Sequence, residues 1–187
     1  MKTHILKTAL MLVPLCTAAT LVAQTNGNAD ATANAPTAAP TQLSHADHSF
    51  ALHLAMGSTN EVALAQLADT RAGSNDVKEF AQMMIQDHGK LNTQFGDLCQ
   101  RKGVDIAEAI QKGQEHDLSD LSSKTGHDFD EAYVKMAVKA HKKTVDLLND
   151  EIKDGKDSDM VAFANQALPI VQHHLEVAEQ LEQKVSM

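Results

Sequence analysis

The sequence predicts an all-α fold, a ferritin-like four-helix bundle with a long crossover between its second and third long helices. Three observations lead there. Four stretches repeat apolar residues at alternating spacings of three and four, which lines one face of a helix. Composition leans the same way, with 3% aromatics, no Trp and four Pro. The breaks between stretches run short, long, short, which suits two antiparallel hairpins joined by a crossover.

Residues 1–23 read as a secretory leader, with Lys2 and Lys7 ahead of an apolar run and Leu21-Val22-Ala23 as a small-residue cleavage site before Gln24. A transmembrane anchor is the rival, disfavoured because the run is short and holds Pro14. Cys16 raises lipidation, but Leu15 stands where lipoprotein signals want a small residue. Residues 24–44 are Ala, Thr, Asn, Pro and Gln with almost no charge, the composition of a flexible linker. The bundle domain then occupies 45–187, and no integral membrane span is expected after processing. This describes an exported protein, periplasmic or secreted, or one peripheral to the envelope.

The first helix covers roughly 46–71, with the stripe Phe50, Leu54, Gly57, Glu61, Leu64 and Ala68. Gly73-Ser74-Asn75 breaks it and offers a cap for the second helix, which runs to about Lys102 and stops at Gly103. Its stripe is Val77, Ala81, Met84, His88, Leu91, Phe95 and Leu98. Residues 103–126 are mixed, with Ile106, Ala109, Ile110, Leu118 and Leu121 suggesting short helical pieces. Asp128 with Glu131 fits a capping box opening the third long helix, which Gly155 ends. Its rougher stripe is Val134, Ala137, His141, Thr144 and Leu148. Asp157 or Ser158 caps the last helix, which runs to near Val185 on Met160, Phe163, Ala167, Ile170, His174, Val177 and Leu181. Pro169 inside it predicts a kink. Each long helix spans ~40 Å. A link of about 24 residues can cross that length at ~3.3 Å per residue, leaving the second and third long helices parallel. An up-down-up-down bundle with a long surface loop is the alternative.

Each stripe carries one ionisable residue near its middle: Glu61, His88, His141 and His174. A core-facing carboxylate or imidazole costs free energy unless paired, hydrogen-bonded or metal-bound. Placed around one axis, the four form a first shell for one ion of zinc, iron, copper or manganese. Asn92, Thr144 and Tyr133 lie one or two turns away, able to orient a ligand imidazole. A buried hydrogen-bond network that only fixes helix register satisfies the same pattern, and a mononuclear oxidoreductase is a third reading.

Other features carry less. His45, His48 and His53 suit a solvated helix start, and Asp87 and His173 fall off the stripes. His116 and His127 show no pattern. The methionines read as core filling, and Cys99 as a small apolar residue. The net charge of −9 disfavours nucleic acid and anionic membranes. No nucleotide loop, nucleophile elbow, HExxH or CxxC occurs. No protein partner is indicated; a monomer or weak homo-oligomer is expected.

Blocks along the chain resemble a known family: Glu61-Val62-Ala63-Leu64-Ala65-Gln66-Leu67-Ala68, the run Val77 to His88, Phe129-Asp130-Glu131-Ala132-Tyr133 with His141, and Leu168-Pro169 with His174-Leu175. They are similar to the domain of unknown function 4142 family. Its members are exported bacterial proteins, often labelled membrane or outer-membrane proteins. The resemblance covers about 46–184 and implies an exported ferritin-like bundle, without an activity. The chain departs from di-iron ferritins, which carry Glu-x-x-His pairs. Here Ile85 stands three residues before His88 and Val171 three before His174. A carboxylate-bridged di-iron centre therefore lacks its ligands. The expectation is one metal ion or none, bound without catalysis.

Overall fold

The computed structural model describes residues 43–115 and 121–186. The leader, most of the linker, His116 and Leu118 lie outside them, so the expectations placed there concern undescribed residues. The described helices are α1 (His45–Arg71), α2 (Asn75–Lys102), α3 (Ala107–Glu115), α4 (Gly126–Asp154) and α5 (Ser158–Val185).

Caps and end-to-end contacts fix the topology. Ser44 accepts the Asp47 N–H at 3.1 Å and starts α1. Asp130, early in α4, accepts the backbone N–H groups of Gly73 and Ser74 at 2.9 and 2.8 Å. The start of α4 therefore lies at the α1–α2 turn. At the other end Asp47 accepts the Lys156 N–H at 2.8 Å, tying the start of α1 to the α4–α5 turn. Lys102, ending α2, pairs with Asp157 and Asp159 at the start of α5, both at 2.7 Å. These ties make α1 antiparallel to both α2 and α4, and α5 antiparallel to α2 and α4. The parallel helices α2 and α4 are joined by the crossover, which the link length allows. Within that crossover α3 packs on α1, where Gly113 rides so close to the Met56 backbone that a Cβ would collide with it.

Several local expectations change. No capping box opens α4: it starts at Gly126, two residues before Asp128, and the Thr125 side chain makes no cap bond. Gly126 adopts φ 61°, and Ala72 bridges to it across the bundle end. This tertiary contact, with Asp130 turned to the neighbouring turn, sets the start. Ser74 likewise makes no side-chain cap for α2. Asp157 does cap α5, accepting from Asp159 and Met160. That helix runs unbroken through Pro169, which faces solvent. No described helix is long and apolar enough to cross a membrane.

The core is two apolar clusters. One holds Leu64, Phe80, Met84, Phe129, Val134 and Leu181, and the other holds Phe50, Leu54, Leu91, Phe95, Leu148 and Phe163. All seven predicted α2 stripe positions are buried. In α5 the buried line moves by one residue after Ala167, to Val171, His174, Ala178 and Leu181, leaving Ile170 and Val177 half-buried.

Asp47 and Glu151 form a second buried polar pair where α1 meets the end of α4. Burial, the neighbouring Asp47 charge and a hydrogen bond to Asp47 push Glu151 up to about 7. Burial also pushes Asp47 upward, but hydrogen bonds from Lys156 and Ser44 outweigh it and hold Asp47 below its usual value. The pair thus shares one proton at mildly acidic pH. A carboxyl raised in the fold binds more protons folded than unfolded between about 4.5 and 7. Its stabilisation is present below about pH 4.5 and is lost as pH rises through about 7. Glu151→Gln is expected to leave stability unchanged near pH 5 and to raise it at pH 8 by up to about 3 kcal/mol, read by urea unfolding. Equal effects at both pH values would contradict the shared proton.

Candidate metal centre

Each long helix sends one ionisable side chain into a layer between the two apolar clusters. Glu61 follows Leu54 and precedes Leu64; His88 sits between Met84 and Leu91. His141 sits between Val138 and Leu148, and His174 between Val171 and Ala178. Helical spacing at these positions forces all four inward. Glu61 is 5% exposed, His88 1%, and His141 and His174 0%.

The imidazoles form a near-equilateral triangle. Ring centroids lie 5.7 Å apart for His88 and His141, 5.2 Å for His88 and His174, and 5.6 Å for His141 and His174. One nitrogen from each ring lies within 4.8 Å of the others. Glu61 reaches His88 Nε2 at 3.5 Å and His141 Nδ1 at 3.4 Å. Those distances exceed the ~2.7–2.9 Å of a charge-assisted hydrogen bond, and neither carboxylate oxygen has a hydrogen-bond partner.

Hydrogen bonding fixes the tautomers. The Ser58 hydroxyl donates its one proton to Asn92 Oδ1, so it must accept from His88 Nδ1–H, at 2.9 Å. His141 Nδ1–H donates to the Ala137 carbonyl at 2.8 Å. His174 Nε2–H donates to Asp87 Oδ2 at 3.2 Å. Each ring is thus held by one nitrogen. The other nitrogens, His88 Nε2, His141 Nε2 and His174 Nδ1, are buried without a hydrogen-bond partner. In neutral rings with these tautomers, each carries a bare lone pair.

Burial favours the neutral ring at His88 and His174. Desolvation, and then the charges that His141 and His174 would carry, hold His88 well below the usual imidazole range. Desolvation outweighs the Asp87 hydrogen bond and lowers His174 to about 4. Desolvation raises Glu61, while His141 pulls it down.

The expected supporting residues behave unequally. Asn92 acts through Ser58. Thr144 donates to the Ala140 carbonyl at 3.2 Å and, with Ser58, His88 and Asn92, lines a cavity of about 10 Å³. Tyr133 stacks on Phe129 at 5.9 Å, and its buried hydroxyl has no partner. Burial and then the Glu61 charge raise its pKa, so its link is to Glu61 rather than to an imidazole.

Two participants escape the stripe pattern. Asp87, off the stripe of its own helix, reaches His174 from the seam between α2 and α5. Ser58 is buried where Gly57 was expected. A serine inside a helix gives no polar-core signal; its place three residues before Glu61 was the available clue. The other described histidines, His45, His48, His53, His127 and His173, are exposed, and of these His173 lies with its ring 6.5 Å from that of His174. Cys99 is a buried free thiol that desolvation pushes up to about 11, which removes thiolate chemistry near neutral pH.

The family model described as "Domain of unknown function (DUF4142)" matches residues 32–181, and the chain belongs to that family. No curated protein matches the sequence. Among solved structures the bundle is similar to one described as "CopM in the Cu(II)-bound form", with a TM-score of 0.63. That match has 16% identity and covers 74% of this chain and 96% of the other, a likeness of fold alone.

Proposed function

We propose that this chain is an exported transition-metal-binding bundle that holds one ion through His88, His141 and His174, with Glu61 as the fourth ligand. The observation that carries the reading is the set of three buried imidazole nitrogens, each left without a partner because its ring's other nitrogen is held as a donor. A network built only for packing would satisfy those atoms. It would also satisfy the Glu61 oxygens, since an unmade buried hydrogen bond costs ~1–3 kcal/mol. Three neutral nitrogens and one carboxylate suit zinc or copper(II) among the candidate ions, and also accept iron or manganese. The likeness to a fold solved with Cu(II) supports placing copper in the first trial. His88, His141 and His174 would hold the ion through nitrogens that already lie within 4.8 Å of one another, and the ion would supply the partner that each buried lone pair lacks. The leader at 1–23 supports action outside the cytoplasm.

Affinity for zinc, measured by competition with a chromophoric chelator, is expected to fall at least ~100-fold in His88→Ala and in His141→Ala. Asp87→Asn keeps the His174 ligand but weakens its orientation, and is expected to lose ~10-fold. Unchanged affinity in either histidine variant would sink the site.

A further inference from the structure

We infer that a cation reaches the buried imidazoles through the groove between α1 and α4, with Glu61 as the group that passes it inward. This rests on the metal reading and adds the route.

The groove has a volume of about 640 Å³ and is open to solvent. Glu61 lines it, and behind that lining its carboxylate lies 3.5 Å from His88 and 3.4 Å from His141, so one residue spans from the groove to the site. Both its oxygens are unpartnered and buried. Two other surface depressions, both between α2 and α5, include none of the four central residues. Thr144 lines both the groove and the small cavity beside His88.

Gly57 adds an independent mark. It lies one turn before Glu61, on the groove, and a Cβ there would meet nothing within 4 Å. Glycine weakens a helix interior. No close backbone approach accounts for its presence; its effect is to leave the space above Glu61 unfilled. Met136 from α4 adds a soft thioether to the lining, able to hold a borderline ion briefly. Lys139 and Lys143 stand exposed on the same side. Their charge opposes an approaching dication, so it sets the rate without closing the path.

The test uses the full chain after processing, mixed with cobalt(II), with ligand-field absorption followed by stopped flow. Gly57→Leu fills the groove and improves helix propensity, so the fold is kept. It is expected to slow loading at least ~10-fold at unchanged final stoichiometry. Ala140→Phe, filling the groove from α4, is expected to do the same. Gly89→Leu, exposed on α2 with open space around it, is the control and should load at the wild-type rate. Lys143→Glu should accelerate loading at low ionic strength. Wild-type loading matched by Gly57→Leu and Ala140→Phe would overturn the route and leave the site standing. No cobalt or zinc uptake by the wild type would overturn site and route together.

Discussion

Saturating metal is expected to raise the unfolding midpoint of the wild-type bundle by ~8–16 °C and to leave a His88→Ala/His141→Ala double variant unmoved. An ion that binds only the folded state stabilises it by ~4 kcal/mol when present at a thousand times its dissociation constant. A domain of this size gains about 2–4 °C per kcal/mol. The site draws one ligand from each long helix, so unfolding any of them breaks it and the whole gain appears in one cooperative transition. The apo bundle carries three unpartnered imidazole nitrogens and two unpartnered carboxylate oxygens between its apolar clusters. Metal binding converts these uncompensated polar groups into bonds. Thermal scans with zinc and with copper, at pH 7 where burial holds His88 and His174 neutral, read the effect. Equal shifts in the wild type and the double variant would place the ion elsewhere, for instance at the exposed His45 and His48.

Replacement of Glu61 by Gln is expected to move stability in opposite directions with and without metal. Glu61 is buried, desolvation raises its pKa, and its oxygens accept no hydrogen bond. Its neighbours are His88, held neutral by burial, and His141, which pulls the Glu61 pKa down by less than desolvation raises it. The charge therefore costs the apo fold more than it returns, and Glu61→Gln should stabilise apo protein by ~1–2 kcal/mol at pH 8. With metal present the same change removes an anionic ligand and should cost ~10- to 100-fold in affinity. A packing network built on a Glu61–imidazolium pair predicts the reverse for the apo form. Breaking such a buried pair destabilises by ~3–5 kcal/mol. Paired urea titrations of wild-type and variant protein, with chelator and with zinc, distinguish the two by sign.

Much of the bundle was legible because helical periodicity records burial directly. The α2 stripe from Val77 to Leu98 is buried at every expected position. The lengths of the three links allowed α2 to lie parallel to α4, and the Asp130, Asp47 and Lys102 ties decide it against the up-down-up-down alternative. The four inward ionisable residues were legible for the same reason, since each interrupts an otherwise apolar line. Periodicity is silent about what a neighbouring helix presents. Asp87 reads as a surface residue of α2 until α5 brings His174 against it. Ser58 reads as a neutral helix residue until His88 and Asn92 close on its hydroxyl. The start of α4 was misplaced because Asp130 and Gly126 answer to the α1–α2 turn, a contact more than fifty residues away in sequence. Glu151 was missed because its partner Asp47 belongs to another helix, so neither stripe shows the pair.

One ion held by the three imidazoles and Glu61 has a stoichiometry that can be counted. Elemental analysis tests it most directly, on protein purified without a polyhistidine tag, incubated with zinc, iron and copper, and freed of loosely bound metal. Close to one equivalent of zinc or copper per chain is expected in the wild type, lost when His88 and His141 are both replaced by Ala. Less than about a tenth of an equivalent of any metal in the wild type would contradict it.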